Sequence, residues 1–222
     1  MGHPHFSIIQ NNGQSFQSKI DNCLETVLKF IGLPSPSTFI KKFLLIADKA
    51  NYDIVMPRNV KKEYFNIEET FLTFTADEQI DNVVRKIGKN DSFIYYHETK
   101  LMWNQERIVK KRQITAREYI ELLEQKDSAK KVIKKLRQCF IYDQQYFMVD
   151  TFLNHKNFQF SILRIETTRE AQQIKIPPFV KVLREVTEEE IYETRMISDQ
   201  KYVMPEKDKR EIEEKLKNFR SQ

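Results

Sequence analysis

The chain has 222 residues, 40% of them apolar and 31% charged, which bounds it to one large globular domain or one domain with appendages. No apolar run approaches the roughly 20 residues of a membrane helix, so membrane insertion is not expected, and a formal charge of +5 favours an acidic protein or a phosphate-bearing partner. Only four glycines occur and no GxxxxGK[ST] motif is present, which argues against a Gly-rich phosphate loop.

Residues 17–31 predict an amphipathic helix, with Ile20, Leu24, Val27, Leu28 and Ile31 at steps of three and four. Gly32 stops it, and Leu33-Pro34-Ser35-Pro36 reads as a rigid linker. Strands are expected at 39–46 and 64–75, followed by a hairpin of 82–87 and 92–101 around Gly88-Lys89-Asn90-Asp91. Another strand covers 103–112. Thr115 then caps a short helix over 116–124, with Glu118 at the capping-box position. The clearest hairpin joins 134–142 to 146–154 through Asp143-Gln144-Gln145, and a strand at 158–167 follows. Pro177-Pro178 is expected to open a short helix through Leu183. The tail, 206–220, reads as a charged helix whose apolar stripe is Ile212, Leu216 and Phe219. About eight strands with short helices between them imply an α+β chain built on an antiparallel β-barrel with flanking helices, closure removing exposed edges. The expected division is an N-terminal segment at 1–33, the barrel domain at 34–200 and the charged helix at 201–222.

Cys23 and Cys139 lie far apart and read as buried, reduced thiols in a cytoplasmic protein. His3, His5, His97 and His155 show no metal-ligand spacing, so neither a metal nor another cofactor is expected. Side chains alternate between the faces of a strand. Arg164 and Glu166 therefore share the face opposite Leu163 and Ile165. Lys135 goes with Arg137, Met148 with Asp150, Arg85 with Ile87, and Lys42 with Ile40 and Thr38. Each such face alone reads as solvated. Their recurrence on many strands suggests a polar lumen, and a lumen rich in Lys and Arg attracts phosphate.

Four stretches carry a resemblance: IGLPSPSTFIKKFLL at 31–45, RIVKKRQITAREYIELL at 107–123, KKLRQCFIYDQQYFMVDTF at 134–152 and IPPFVKVLREVT at 176–187. From about 31 to 198 the chain resembles a CYTH-type domain, the triphosphate tunnel fold, and is similar to the C-terminal half of eukaryotic proteins that join an NTPase domain to such a tunnel. The resemblance implies a barrel in which glutamates hold Mg²⁺ or Mn²⁺ while Arg and Lys bind phosphates. The first Glu-x-Glu-x-Lys of that pattern reads Thr38, Ile40 and Lys42 here. A second acidic pair reads Val109 and Lys111, and the last reads Arg164 and Glu166. Asp150 is kept as an acidic position. The basic positions survive at Arg85, Lys86, Lys100, Lys135 and Arg137, and two others read Val83 and Ile87.

Cations standing where ligands are needed repel a divalent metal, by about 4 kcal/mol for a unit-charge pair at 4 Å and an effective dielectric near 20. The expectation is therefore a chain that is not an enzyme, with no catalytic residues and no metal. It would serve as a structural or interaction subunit of a larger cytoplasmic assembly, such as one of the cytoskeleton or a cilium, with Ile212, Leu216 and Phe219 as a partner-binding helix face. The alternative is a metal-independent binder of triphosphate, polyphosphate or a nucleotide through Lys42, Arg85, Lys86, Lys100, Lys135 and Arg137. A residual triphosphatase would rest on Asp150 and Glu166. The basic clusters 110–112 and 130–135 lack any nucleic-acid recognition motif.

Overall fold

In the computed structural model, the residues described are 39–46, 60–74, 79–103, 106–153, 160–167 and 174–220. The expected helix at 17–31, the linker after it, Thr38, Cys23, His3, His5 and His155 lie outside them.

Nine strands form one antiparallel sheet: β1 Phe39–Leu45, β2 Lys62–Phe71, β3 Gln79–Lys89, β4 Ser92–Trp103, β5 Glu106–Ile114, β6 Ile133–Tyr142, β7 Gln145–Phe152, β8 Ser161–Thr167 and β9 Val182–Glu185. Their order is β5-β4-β3-β2-β6-β7-β8-β1-β9. The outermost strands β5 and β9 are not paired to each other, so the described sheet is open where a closed barrel was expected. The ninth strand corrects a second expectation. After Pro177 the chain makes a turn, with Val180 N–H donating to the Pro177 carbonyl at 3.0 Å, and then a strand rather than a helix, because Val182, Arg184 and Glu185 pair with Leu45, Leu44 and Phe43 on the free side of β1. Pairing along a whole strand edge outweighs a helix-start signal that has no apolar stripe behind it.

Two hairpin turns are tighter than expected. Both use two central residues in the left-handed region, Asn90 (φ 50) with Asp91 (φ 62) and Asp143 (φ 47) with Gln144 (φ 59), the geometry that matches strand twist in a two-residue loop. Gly88 sits beside the first turn, and a β-carbon there would lie 2.2 Å from the Phe93 ring and 2.3 Å from the Ser92 carbonyl. Thr115 caps helix α1 (Ala116–Leu123) through the expected capping box with Glu118.

Two apolar clusters coat one face of the sheet. Phe140, Phe147, Val149, Leu163 and Ile165 lie under the 174–180 segment, with Val180 buried among them. Val84 and Ile114 lie with Leu72 under Tyr119 of α1. A third cluster sits on the opposite face at one end, where Leu44, Ile133, Phe152 and Ile162 meet Val186, Tyr192, Ile197, Met204 and Ile212. These partners come from the C-terminal segment, which holds a 3₁₀ turn at Glu190–Tyr192 and helices α2 (Thr194–Ile197) and α3 (Glu206–Arg220).

The α3 stripe is thus occupied within the chain. Ile212 is 1% exposed in that core and Leu216 packs against it, so the expected partner-binding face is turned inward at both positions. The side chain of Phe219 lies outside the described residues. No helix among the described residues is long and apolar enough to cross a membrane.

Truncating a fully buried Ile leaves a cavity and costs about 2–5 kcal/mol. Ile212→Ala is expected to lower unfolding free energy by that amount in urea titration. A loss below about 1 kcal/mol would place Ile212 outside the core.

Candidate functional site

The face opposite the Phe140 and Val84 clusters carries the charge. Directly opposed residues in an antiparallel ladder share a face, and the register aligns them without a break. Lys111 faces Glu98, Lys100 faces Val109, Arg85 faces Tyr96 and Glu69 faces Arg85. Ile67 faces Lys135, Arg137 faces Asp150, Arg164 faces Met148, Lys42 faces Arg164 and Ile40 faces Glu166. Of the expected anion-binding residues, Lys42, Arg85, Lys100, Lys135 and Arg137 share this face. Lys86 does not: alternation turns it to the other side, where its ammonium lies 4.1 Å from the centre of the Phe93 ring.

Most of these charges are spent on one another. Arg137 donates two parallel hydrogen bonds to Asp150, Nε to Oδ1 at 2.6 Å and Nη2 to Oδ2 at 2.7 Å. Lys135, only 3% exposed, stands 3.2 Å from both Asp150 and Glu69. Arg85 donates from Nε to Glu69 at 2.8 Å and also bonds Glu98. Lys100 bonds Asp81 at 2.7 Å and lies 3.5 Å from Glu98. Lys42 is paired with Glu193 of the C-terminal segment.

The titration behaviour follows. Burial works to raise the Glu69 carboxyl, but Lys135 and Arg85 override it and bring the pKa down from 4.5 to about 2. Asp150 is likewise held well below its ordinary value: burial opposes ionisation, and Lys135 and Arg137 overcome it. Sequence reasoning missed Glu69, Asp81 and Glu98. It looked for acids at the places the resemblance prescribed, whereas the readable signal was the alternation Ile67, Glu69, Phe71 and the spacing of Glu98 to Lys100.

Two cations stand apart. Lys111 is exposed on β5, and its ammonium lies 4.7 Å from the centre of the Tyr96 ring. Partial burial lowers its pKa, and repulsion from Arg85, Arg137 and Arg164 lowers it further, against attraction from Glu98. A nine-stranded twisted sheet curls into a trough, and these side chains share one of its faces. Arg164 carries a buried Nε with no hydrogen-bond partner. Neither Lys111 nor Arg164 makes an ion pair within 4 Å among the described residues. Exposed Glu166 stands on the same face, also outside any such pair. Next to Arg137, beyond the charged stretch, Cys139, Phe65, Ile141 and Tyr146 line an open, largely apolar cavity of about 820 Å³.

Hard cations need several free oxygens. Asp150, Glu69, Glu98 and Asp81 each accept from Arg or Lys, while Oε2 of Glu69 and Oδ1 of Asp81 are buried without a hydrogen-bond partner. No three His, Cys, Asp or Glu come together suitably among the described residues.

No family model matches the chain, and no curated protein matches it in sequence. Solved structures do. The inorganic triphosphatase NE1496 is 20% identical, with a TM-score of 0.50 over 76% of this chain and 97% of its own. A second structure of NE1496 gives 0.51 over 76% and 100%, also at 20% identity. A putative adenylyl cyclase from Hippeastrum, described as having a dominant triphosphatase activity, is 9% identical with a TM-score of 0.43 over 60% of this chain and 80% of its own. The chain thus has the triphosphate tunnel fold. The expectation that it is not an enzyme is overturned at its source. That expectation rested on missing carboxylates, yet the trough holds Glu69, Asp81, Glu98 and Asp150, and the fold is one that an inorganic triphosphatase uses.

Asp150→Asn should be strongly destabilising, by about 3–5 kcal/mol, because it leaves buried Lys135 and Arg137 short of counter-charge; urea unfolding measures it. Glu69 is depressed on folding, so its contribution is complete above about pH 4.5 and is lost as pH falls toward 2. Unfolding free energy followed across that window should drop less steeply in Glu69→Gln than in the unaltered protein, and identical slopes would contradict the assignment.

Proposed function

We propose that this chain, with the fold of an inorganic triphosphatase, binds a linear phosphate anion such as triphosphate or a short polyphosphate in its trough and releases orthophosphate from it. The observation that carries the reading is Arg164, a cation of the charged face that holds a buried donor unsatisfied, with Lys111 on the same face feeling Arg85, Arg137 and Arg164 as like charges. Repelling cations and an orphaned guanidinium N–H cost free energy in the empty site. A multiply charged phosphate chain relieves both at once, since its oxygens accept charge-assisted hydrogen bonds along a line. The support for turnover is that NE1496, whose fold this chain shares, is an inorganic triphosphatase.

In such turnover water adds to the terminal phosphorus, the bond from that phosphorus to the bridging oxygen breaks, and the cations hold the charge that develops on the leaving diphosphate. Glu166 is the inner-face carboxylate left outside the described ion pairs, and it is placed in this reading to orient the water. Asp150, paired with Glu166 in the sequence-based alternative, is instead occupied by Lys135 and Arg137.

The apolar cavity beside Arg137 favours a second reading, a nucleoside triphosphate. Its base would rest among Phe65, Ile141 and Tyr146 while its phosphates run toward Arg164. Comparing affinities for ATP and tripolyphosphate separates the two.

Calorimetric titration with tripolyphosphate is expected to show binding that weakens by about tenfold or more in Arg164→Gln, the range of one hydrogen bond to a charged group. Glu166→Gln should slow phosphate release and leave affinity within about twofold. Binding should also fade with rising pH earlier than an ordinary lysine would dictate, because Lys111, lowered by desolvation and then by its cationic neighbours, discharges sooner. Absence of any binding heat removes the proposal.

A further inference from the structure

The C-terminal segment covers one end of the charged face, and strand register fixes which residues stand just outside that cover. Leu44 of β1 lies opposite Ile162 of β8, and both are buried beneath the segment. Two residues back along β1 and two on along β8, on the same face, Lys42 lies opposite Arg164. Directly opposed side chains in an antiparallel ladder have β-carbons about 4.5–5.5 Å apart, and like charges so placed disfavour the pairing. The two cations of this row have different surroundings. Arg164 keeps a buried Nε without a hydrogen-bond partner. Lys42 is paired with Glu193. Glu193 lies between the 3₁₀ turn at Glu190–Tyr192 and α2, and the chain around it is pinned. Tyr192 and Ile197 are buried, the Val186 N–H donates to the Lys42 carbonyl at 2.8 Å, and the Lys42 N–H donates to Thr187 Oγ1 at 3.1 Å. The Glu193 carboxylate itself is not held by that packing. It makes no capping bond to α2 although Glu193 is the N-cap residue, and its side chain is 47% exposed against 16% for Lys42. It can leave Lys42 by turning about its own side-chain bonds, with the cover in place.

We propose that Lys42 and Arg164 form one phosphate subsite at the covered end of the trough, and that the Glu193 carboxylate is its built-in occupant, an internal competitor that an incoming phosphate group displaces from Lys42. This rests on the phosphate-binding reading above and adds to it the place of one phosphate group and a residue that sets its affinity. A guanidinium presents its donors in a fixed plane that suits two oxygens of one phosphate, and Lys42, directly across on β1, supplies a point charge to the same group. A phosphate group carries more charge and more acceptor oxygens than one carboxylate. The exchange therefore satisfies the orphaned donor of Arg164 and gives up only a partly exposed ion pair.

The test is calorimetric titration of the full chain with tripolyphosphate, in the unaltered protein, in Glu193→Gln, in Lys42→Gln and in the double variant. Glu193→Gln is expected to bind about threefold tighter, the range of a partly exposed ion pair that no longer competes. Lys42→Gln is expected to bind more weakly, and adding Glu193→Gln to it should gain little, because the two residues act through one contact. Lost structure does not tighten a complex, so a pair that merely held the cover in place would not give this result. Affinity unchanged or weakened in Glu193→Gln overturns the inference and leaves phosphate binding standing. A gain of the same size with and without Lys42 also overturns it, since Glu193 would then act as a distant charge and not through Lys42. Absence of binding in every form overturns the inference together with the function it rests on.

Discussion

A charge buried in a folded protein must find a counter-charge or be ruinously expensive. That constraint organises one whole face of this sheet. Lys135 is shared between Glu69 and Asp150, Arg85 between Glu69 and Glu98, and Lys100 between Glu98 and Asp81. The result is a chain of alternating charge running across β7, β6, β2, β3 and β4. Such a network adds little net stability over an apolar core of the same volume, but removing one member strands its neighbours. It therefore fixes strand register, since a slip of one residue would turn every one of these groups to the Phe140 and Phe147 side.

The same constraint explains how the trough is divided. At one end Ile133, Phe152, Ile162 and Leu44 replace charges on that face, and the C-terminal segment seals them with Val186, Tyr192, Ile197 and Ile212. That segment adds Glu193 to pair with Lys42, and Asp208 accepts from Arg184 at 2.8 Å and from Tyr192 at 2.6 Å. Elsewhere on the same face Lys111 and Arg164 stand outside any ion pair among the described residues, and Arg164 keeps a buried Nε without a hydrogen-bond partner.

The sequence made strand alternation legible, and with it the sharing of faces by Arg164 with Glu166 and by Lys135 with Arg137. It made the capping box at Thr115 legible too, because both partners lie within one helical turn. It hid whatever depends on distant pairing. Glu69 reads as a surface acid until β3 is laid beside it and Arg85 arrives at 2.8 Å. The stripe of α3 announces an apolar face, but periodicity cannot say whether a partner or the chain's own Ile133 and Phe152 will cover it. Pro177-Pro178 carries a local start signal that the empty edge of β1 overrules. The acids looked for at Ile40, Val109, Lys111 and Arg164 are absent there, while others sit on neighbouring strands, so residue-by-residue transfer of a motif misjudged what the face contains.

The most direct measurement is a crystal structure of the chain grown with tripolyphosphate in the absence of divalent ions. The account predicts phosphate density against Arg164, with its guanidinium Nε donating to it and the Arg137–Asp150 pair intact. A phosphate chain found elsewhere, or Arg164 folded onto Glu166 across an empty trough, would contradict it.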